Sequence, residues 1–99
     1  MIIYGIKNCD KVRAAVKKCQ HDGISVQLHD FRIDGIDQDL VDGMLLDIDI
    51  NQLLNKRSTT WKQLADSTKE IVNSSLLVTH PTLIKRPVIF ADGHYRIGL

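Results

Sequence analysis

A short apolar run, Met1-Ile2-Ile3-Tyr4, is stopped by Gly5 and followed almost at once by a helical apolar pattern, and this opening constrains the fold more than any other feature. The run is short and rich in strand formers, so it reads as a buried strand leading into a tight loop through Asn8. From Asp10 the apolar positions Val12, Ala15, Val16 and Cys19 recur at helical spacing, with basic residues between them and Gly23 where a helix would stop. Val26-Gln27-Leu28-His29-Asp30-Phe31 then alternates apolar with polar, the pattern of a strand with one covered face. Strand, crossover helix and strand pack as a right-handed parallel βαβ unit.

The middle of the chain changes character. Asp37 to Leu46, Ile50 to Leu54, Thr60 to Ala65 and Ser67 to Val78 show short helical patterns broken by Asp, Asn and Ser, which predicts a helical insertion over about residues 37–80, closed by Pro81. After it, Arg86-Pro87-Val88-Ile89-Phe90-Ala91, Asp92-Gly93 and His94-Tyr95-Arg96-Ile97 give a strong hairpin signal, although its register is not fixed by these residues. The order β, α, β, helices, β, β predicts an α/β fold on a small mixed sheet. At 99 residues the chain has room for one domain, residues 1–99, with a single core.

Charge and composition exclude several classes of function. Thirteen Lys and Arg against twelve Asp and Glu give a net charge of +1, unlike a dedicated nucleic-acid binder. No apolar stretch approaches a membrane span and the start lacks the pattern of a signal peptide, so a cytoplasmic, non-membrane protein is expected. The charges are nonetheless segregated. Residues 1–20 hold Lys7, Lys11, Arg13, Lys17 and Lys18 against Asp10 alone, whereas Asp30, Asp34, Asp37, Asp39, Asp42, Asp47 and Asp49 cluster further on, so the first end suits an anion.

Two cysteines cannot make a disulfide framework, and each is judged by its surroundings. Cys9 lies just before the first helix, where free N–H groups and the positive dipole end favour a thiolate, with Lys7, Lys11 and Arg13 nearby. A cysteine there can also merely cap or pack; the clustered positive features favour a nucleophile. Cys19 is in phase with Val12 and Val16 and, at a rise of 1.5 Å per residue, lies about 15 Å further along the helix on its core side, which makes it a buried free thiol. Arg86 opens a strand, where its planar fork could hold a carboxylate or oxyanion or simply be solvated. Pro87 is either an edge-strand residue or the second residue of a cis peptide. His21, His29, His80 and His94 lack metal-site spacing, so no metal is expected. Trp61 reads as a core or shelf residue.

Tyr4-Gly5-Ile6-Lys7-Asn8-Cys9-Asp10-Lys11-Val12-Arg13, Leu54-Asn55-Lys56-Arg57-Ser58-Thr59-Thr60-Trp61 and Leu83-Ile84-Lys85-Arg86-Pro87 together resemble the arsenate reductase (ArsC) family, in its YffB-like branch related to Spx. The motifs keep the family's order and span almost the whole chain. The resemblance implies a thioredoxin-like fold with a helical insertion, Cys9 as the attacking thiolate, and Arg86 before a cis-proline at Pro87 as an anion ligand. It also implies that Arg13, which completes C-x-x-x-R, faces the same loop, and that Arg57 and Arg96 are further anion-binding positions. Asn55 stands where arsenate reductases carry an arginine, Arg57 being the nearby one, and Val12 stands where Spx has the second cysteine of its C-x-x-C switch.

The leading functional expectation is a glutathione-dependent thiol reductase with no bound cofactor, using glutathione as cosubstrate with glutaredoxin as a further partner. Arsenate reduction with the same donors is one alternative, and an Spx-like regulator that binds RNA polymerase without turnover is another. The family usually continues past the hairpin into a terminal helix. With that helix absent, Val88, Phe90 or their alternates on the sheet face turned away from the first helix are expected to be wet if the inserted helices do not reach the hairpin.

Overall fold

The computed structural model describes Met1 to Leu99. Its internal contacts divide the chain into two units, one of Met1–Gly35 with Arg86–Leu99 and one of Ile36–Lys85.

The first unit holds β1 (Ile2–Gly5), α1 (Asp10–His21), β2 (Gln27–Asp30), β3 (Val88–Ala91) and β4 (His94–Ile97). The sheet order is β2-β1-β3-β4. β1 runs parallel to β2, with Ile3 opposite Leu28, and antiparallel to β3, with Ile3 opposite Ile89. The expected βαβ unit and mixed sheet are therefore present. The hairpin register left open by the sequence is Val88 opposite Ile97 through Ala91 opposite His94. Its two-residue turn has positive φ at both Asp92 (55°) and Gly93 (80°), the tight turn that matches the twist of the strands it joins.

α1 exists because its apolar residues fall on one side. Val12, Ala15 and Cys19 pack with Ile3 and Ile89 in one buried cluster, with Leu28 and Ala91 at its margin. The helix stops at Gly23, where φ is +73°, and the Ile24 N–H returns to the Cys19 carbonyl at 2.8 Å.

On the opposite sheet face the condition for wet side chains is not met at Val88. Val88 is fully buried, Tyr4 and Phe31 are 7% and 4% exposed, and Phe90 is half-buried. Aromatic rings occupy this face. Tyr4 lies 4.9 Å from the His29 ring and 5.9 Å from Tyr95, and Phe90 lies 4.6 Å from Tyr95.

Burial, the charge of Tyr95 and a hydrogen bond to Tyr95 push the Tyr4 hydroxyl up to about 12 from an ordinary 10.0. The folded chain thus holds this proton more tightly than the unfolded chain does. The neutral ring's contribution is complete below pH 10.0 and is lost as pH rises toward about 12. A phenolate absorbance titration is expected to show a late tyrosine step that accompanies alkaline unfolding. A Tyr4→Phe chain that keeps the late step would refute the assignment.

The second unit is built of short helices: α2 (Gln38–Asp47), α3 (Ile50–Leu53), α4 (Thr59–Gln63), α5 (Asp66–Lys69), α6 (Ser74–Thr79) and a 3-10 turn (Pro81–Leu83). Most begin at a polar cap. Asp37 accepts from the Leu40 N–H, Asp49 from Asn51, Ser58 from Trp61 and Asn73 from Leu76. The pattern read as one helix over Ser67 to Val78 is divided because Asn73 caps a new helix there. Pro81 does not close the unit; it opens the 3-10 turn, as a first-turn proline can.

Leu54 then bridges Ile84, with the Asn55 N–H on the Leu83 carbonyl at 2.7 Å and the Lys85 N–H on the Leu53 carbonyl at 2.8 Å. Val41, Met44, Leu53, Leu54, Leu77, Leu83 and Ile84 are its most deeply buried residues. Trp61 is half-buried, with the Lys56 and Lys69 ammonium groups 5.9 and 5.6 Å from its ring, which fits a shelf.

Candidate active site

The end of β1 places Cys9. Gly5 has no spare room: a Cβ there would sit 2.5 Å from Cγ2 of Val12, so α1 lies directly against the strand end. The chain between them is tied down at successive residues. The Phe31 N–H donates to the Gly5 carbonyl at 2.9 Å, the Lys7 N–H to Asp30 Oδ2 at 2.7 Å, and the Cys9 N–H to the Ile6 carbonyl at 3.0 Å. The Arg13 N–H donates to the Cys9 carbonyl at 3.0 Å and starts the helix.

Cys9 is thereby the N-cap residue of α1, extended at φ −81° and ψ 126°, and its sulfur makes no capping bond. It is half-buried and packs beside the Ile3 and Val12 cluster. A sulfur at the start of a twelve-residue helix sits where a negative charge is stabilised. Cys19 is also a free thiol, but it is 1% exposed with its sulfur 3.8 Å from that of Met1. The two cysteines therefore differ in placement: one is near solvent, the other in the core.

The arginines are distributed. Arg13 is exposed one turn into α1, but its guanidinium is ion-paired with Asp10. The charge cluster read from the sequence is thus partly neutralised, because Asp10 and Arg13 lie three apart on one helix face. Arg86 is half-buried and the Arg86–Pro87 bond is cis, which decides between the two readings of Pro87. Since Tyr4 pairs with Val88 and the strands are antiparallel, Arg86 lies at the end of the sheet where β1 enters the Cys9 loop. Arg96 is exposed on the edge strand opposite Ile89, two strands or about 10 Å from β1. Arg57 belongs to the second unit, exposed on the turn before α4, where its N–H donates to Asn55 Oδ1 at 3.1 Å. No group of three or more His, Cys, Asp or Glu side chains is placed to hold a metal ion.

The residue that sequence reasoning missed is Asp30. It is a buried carboxylate, 4% exposed, at the end of β2. Its signal was in the pattern: Asp30 is in phase with Val26 and Leu28, on the covered side of the alternation. Burial alone would raise its pKa. Hydrogen bonds from the Lys7 and Arg32 N–H groups, with the nearby Ile33 N–H and the charge of Arg32, outweigh burial and leave the carboxyl below its usual range.

The ArsC family profile matches residues 4–99, which takes in Cys9, Arg13, Arg57, Arg86, Pro87 and Arg96. The chain belongs to the ArsC family. An uncharacterized protein of Haemophilus influenzae is 42% identical over 100 residues, covering 97% of this chain and 88% of its own. Among solved structures, the YffB protein superposes with a TM-score of 0.90 at 26% identity, covering 99% of this chain and 90% of that one. An arsenate reductase (ArsC) related protein from Brucella melitensis gives a TM-score of 0.81 at 33% identity over 99% of this chain and 85% of its own. This ArsC-family chain therefore has the thioredoxin-like fold of the YffB-like branch that its motifs implied.

Proposed function

We propose that the protein is a cytoplasmic glutathione-dependent thiol reductase in which Cys9 is the only nucleophile. The observation that carries this reading is the contrast between the thiols. Cys9 caps a helix beside solvent, while Cys19 is buried on the core side of the same helix and cannot resolve a bond made at Cys9. Cys9 thiolate attacks a substrate disulfide, forming a mixed disulfide and expelling one half as a thiolate. Glutathione thiolate then attacks this mixed disulfide, releasing the second half as a thiol and leaving glutathione on Cys9. A second glutathione frees Cys9 and departs as oxidised glutathione, so two glutathiones are oxidised for each disulfide reduced. Arg86, at the loop end of the sheet, would hold a glutathione carboxylate. Arg13 and Arg96 are secondary anion contacts in this reading, and glutaredoxin could replace the second glutathione.

The decisive assay is glutathione-dependent turnover of a model disulfide by the wild-type chain and by Cys9→Ser, with arsenate as a parallel substrate. Turnover of arsenate alone would replace this reading with arsenate reduction. Failure with both substrates, together with tight binding to RNA polymerase, would replace it with a regulator. Asn55 bears on the arsenate arm, because its side-chain oxygen is occupied in shaping the turn before α4.

Arg86→Lys is expected to raise the KM for glutathione about three- to tenfold with little change in kcat, because lysine keeps the charge and loses the planar fork. Unchanged kinetics in that variant would return Arg86 to the solvated surface.

A further inference from the structure

We infer that Asp30 is the positioning residue of the nucleophile, holding the Cys9 loop through the Lys7 amide; this rests on the reading of Cys9 as the attacking thiolate. Asp30 is the one buried charged side chain of the structure, and both of its oxygens are in use. Oδ2 accepts from the Lys7 N–H at 2.7 Å and Oδ1 from the Arg32 N–H at 2.7 Å. Its backbone is equally engaged: the Asp30 N–H donates to Asp34 Oδ2 at 2.9 Å, and its carbonyl accepts from Ile33 at 3.1 Å and Asp34 at 2.7 Å. A turn folded on itself at the end of β2 thus presents a fixed carboxylate to the neighbouring strand's loop.

The point of attachment matters. Lys7 is the middle residue between Gly5 and Cys9, and its side chain is exposed, so after the buried Ile6 its amide is the next point at which the loop is fixed. The adjacent residues Asp30 and Phe31 hold Lys7 and Gly5 respectively, and between these attachments Ile6 offers the carbonyl that takes the Cys9 N–H. Without the carboxylate, the Lys7 N–H has lost its partner and the turn that orients Cys9 as a helix cap keeps only the Gly5 attachment and the buried Ile6 side chain. A carboxylate suits the task because two N–H donors converge on it. Asparagine has one acceptor oxygen and would aim its own N–H groups at one of those donors.

Geometry and charge act on the thiolate in opposite directions. Removing a negative charge near a thiolate, by itself, favours the thiolate and would speed its reaction at neutral pH. Loss of the cap geometry slows it. The groups facing Asp30 are the Lys7 and Arg32 backbone N–H groups, the charge of Arg32 and, on its own turn, Asp34.

The test is the rate of Cys9 exchange with a small aromatic disulfide, followed from neutral pH to the alkaline plateau where the thiol is fully ionised, in wild type and Asp30→Asn. The ratio of neutral rate to plateau rate is expected to fall about three- to tenfold in Asp30→Asn, a helix-terminus effect. A folded Asp30→Asn chain whose ratio equals or exceeds that of wild type overturns the inference, since a merely structural carboxylate would change melting and not this ratio. Should Asp30→Asn fail to fold, hydrogen exchange in the wild-type chain decides. Strong protection of the Lys7 amide supports the clamp, and exchange at the rate of an open loop overturns it. Neither measurement needs turnover. A chain with a working clamp and no glutathione activity would sink the reductase reading alone, and an active enzyme indifferent to Asp30→Asn would sink this inference alone.

Discussion

Cys9→Ser is expected to lower glutathione-dependent disulfide turnover by about a thousandfold or more, because a hydroxyl at this position cannot form the mixed disulfide on which each later step acts. Cys19→Ala is expected to keep most of the activity. Cys19 is 1% exposed and packs with Val12, Ala15, Ile3 and Ile89, so its loss leaves a small apolar cavity costing about 1 kcal/mol in stability without touching the reaction. The two variants therefore separate chemistry from packing on a single helix. Measured with a mixed glutathione disulfide as substrate, an active Cys9→Ser chain would remove Cys9 from the reaction. A folded but inactive Cys19→Ala chain would show that a second thiol resolves the intermediate, which requires α1 to open during turnover. Mass spectrometry of the trapped Cys9–glutathione adduct gives an independent check on the same step.

The part of this arrangement that could be read from residues alone is the part dictated by local pattern. The phase of Val12, Ala15 and Cys19 gave the buried face of α1, Gly23 gave its end, and Asp92-Gly93 gave the hairpin turn, because each depends on neighbours in sequence. Arg86 and Cys9 were singled out by position at strand and helix starts, and the sheet register brings their segments to one end. What could not be read depended on partners distant in sequence. The phase of Asp30 with Val26 and Leu28 marks it as covered, but its partner is legible only once the parallel pairing of β1 with β2 sets Gly5 beside it and brings the Lys7 amide within reach. The burial of Val88 was not legible because no local feature reveals what buries it or that Tyr4, His29, Phe31, Phe90 and Tyr95 gather on that face. The split of Ser67–Val78 had a local cause, since Asn73 is a good cap, but apolar spacing on both sides masked it.

Gly5→Ala is expected to destabilise the fold by about 1–3 kcal/mol, an overpacking cost. The reason is contact and not backbone conformation, since Gly5 is a β1 residue paired with Asp30 and is not among the glycines with positive φ. A methyl group at Gly5 would meet Cγ2 of Val12 at 2.5 Å. Val12 is fully buried against the sheet, so it cannot turn aside into solvent. Relief requires α1 to move away from β1, opening the cluster of Ile3, Ala15, Cys19 and Ile89. For a chain of this size each kcal/mol corresponds to a fall of about 4–8 °C in Tm, so the effect is well within the reach of a thermal melt.

Val12→Ala, which removes the clashing methyl, supplies the control. Alone it costs stability through a cavity. Combined with Gly5→Ala it should give a loss smaller than the sum of the single losses by about 0.5–3 kcal/mol, the range for residues in direct contact. Strict additivity would mean that the added methyl is accommodated elsewhere and that Val12 is not what excludes it. Because Cys9 is the cap of the helix that Val12 holds in place, the same cycle has a chemical readout. Gly5→Ala should slow Cys9 exchange with a small disulfide under conditions where the chain is still folded, and the double variant should recover part of that rate. Recovery of rate in step with recovery of stability would tie the reactivity of Cys9 to the seating of α1 on the end of β1.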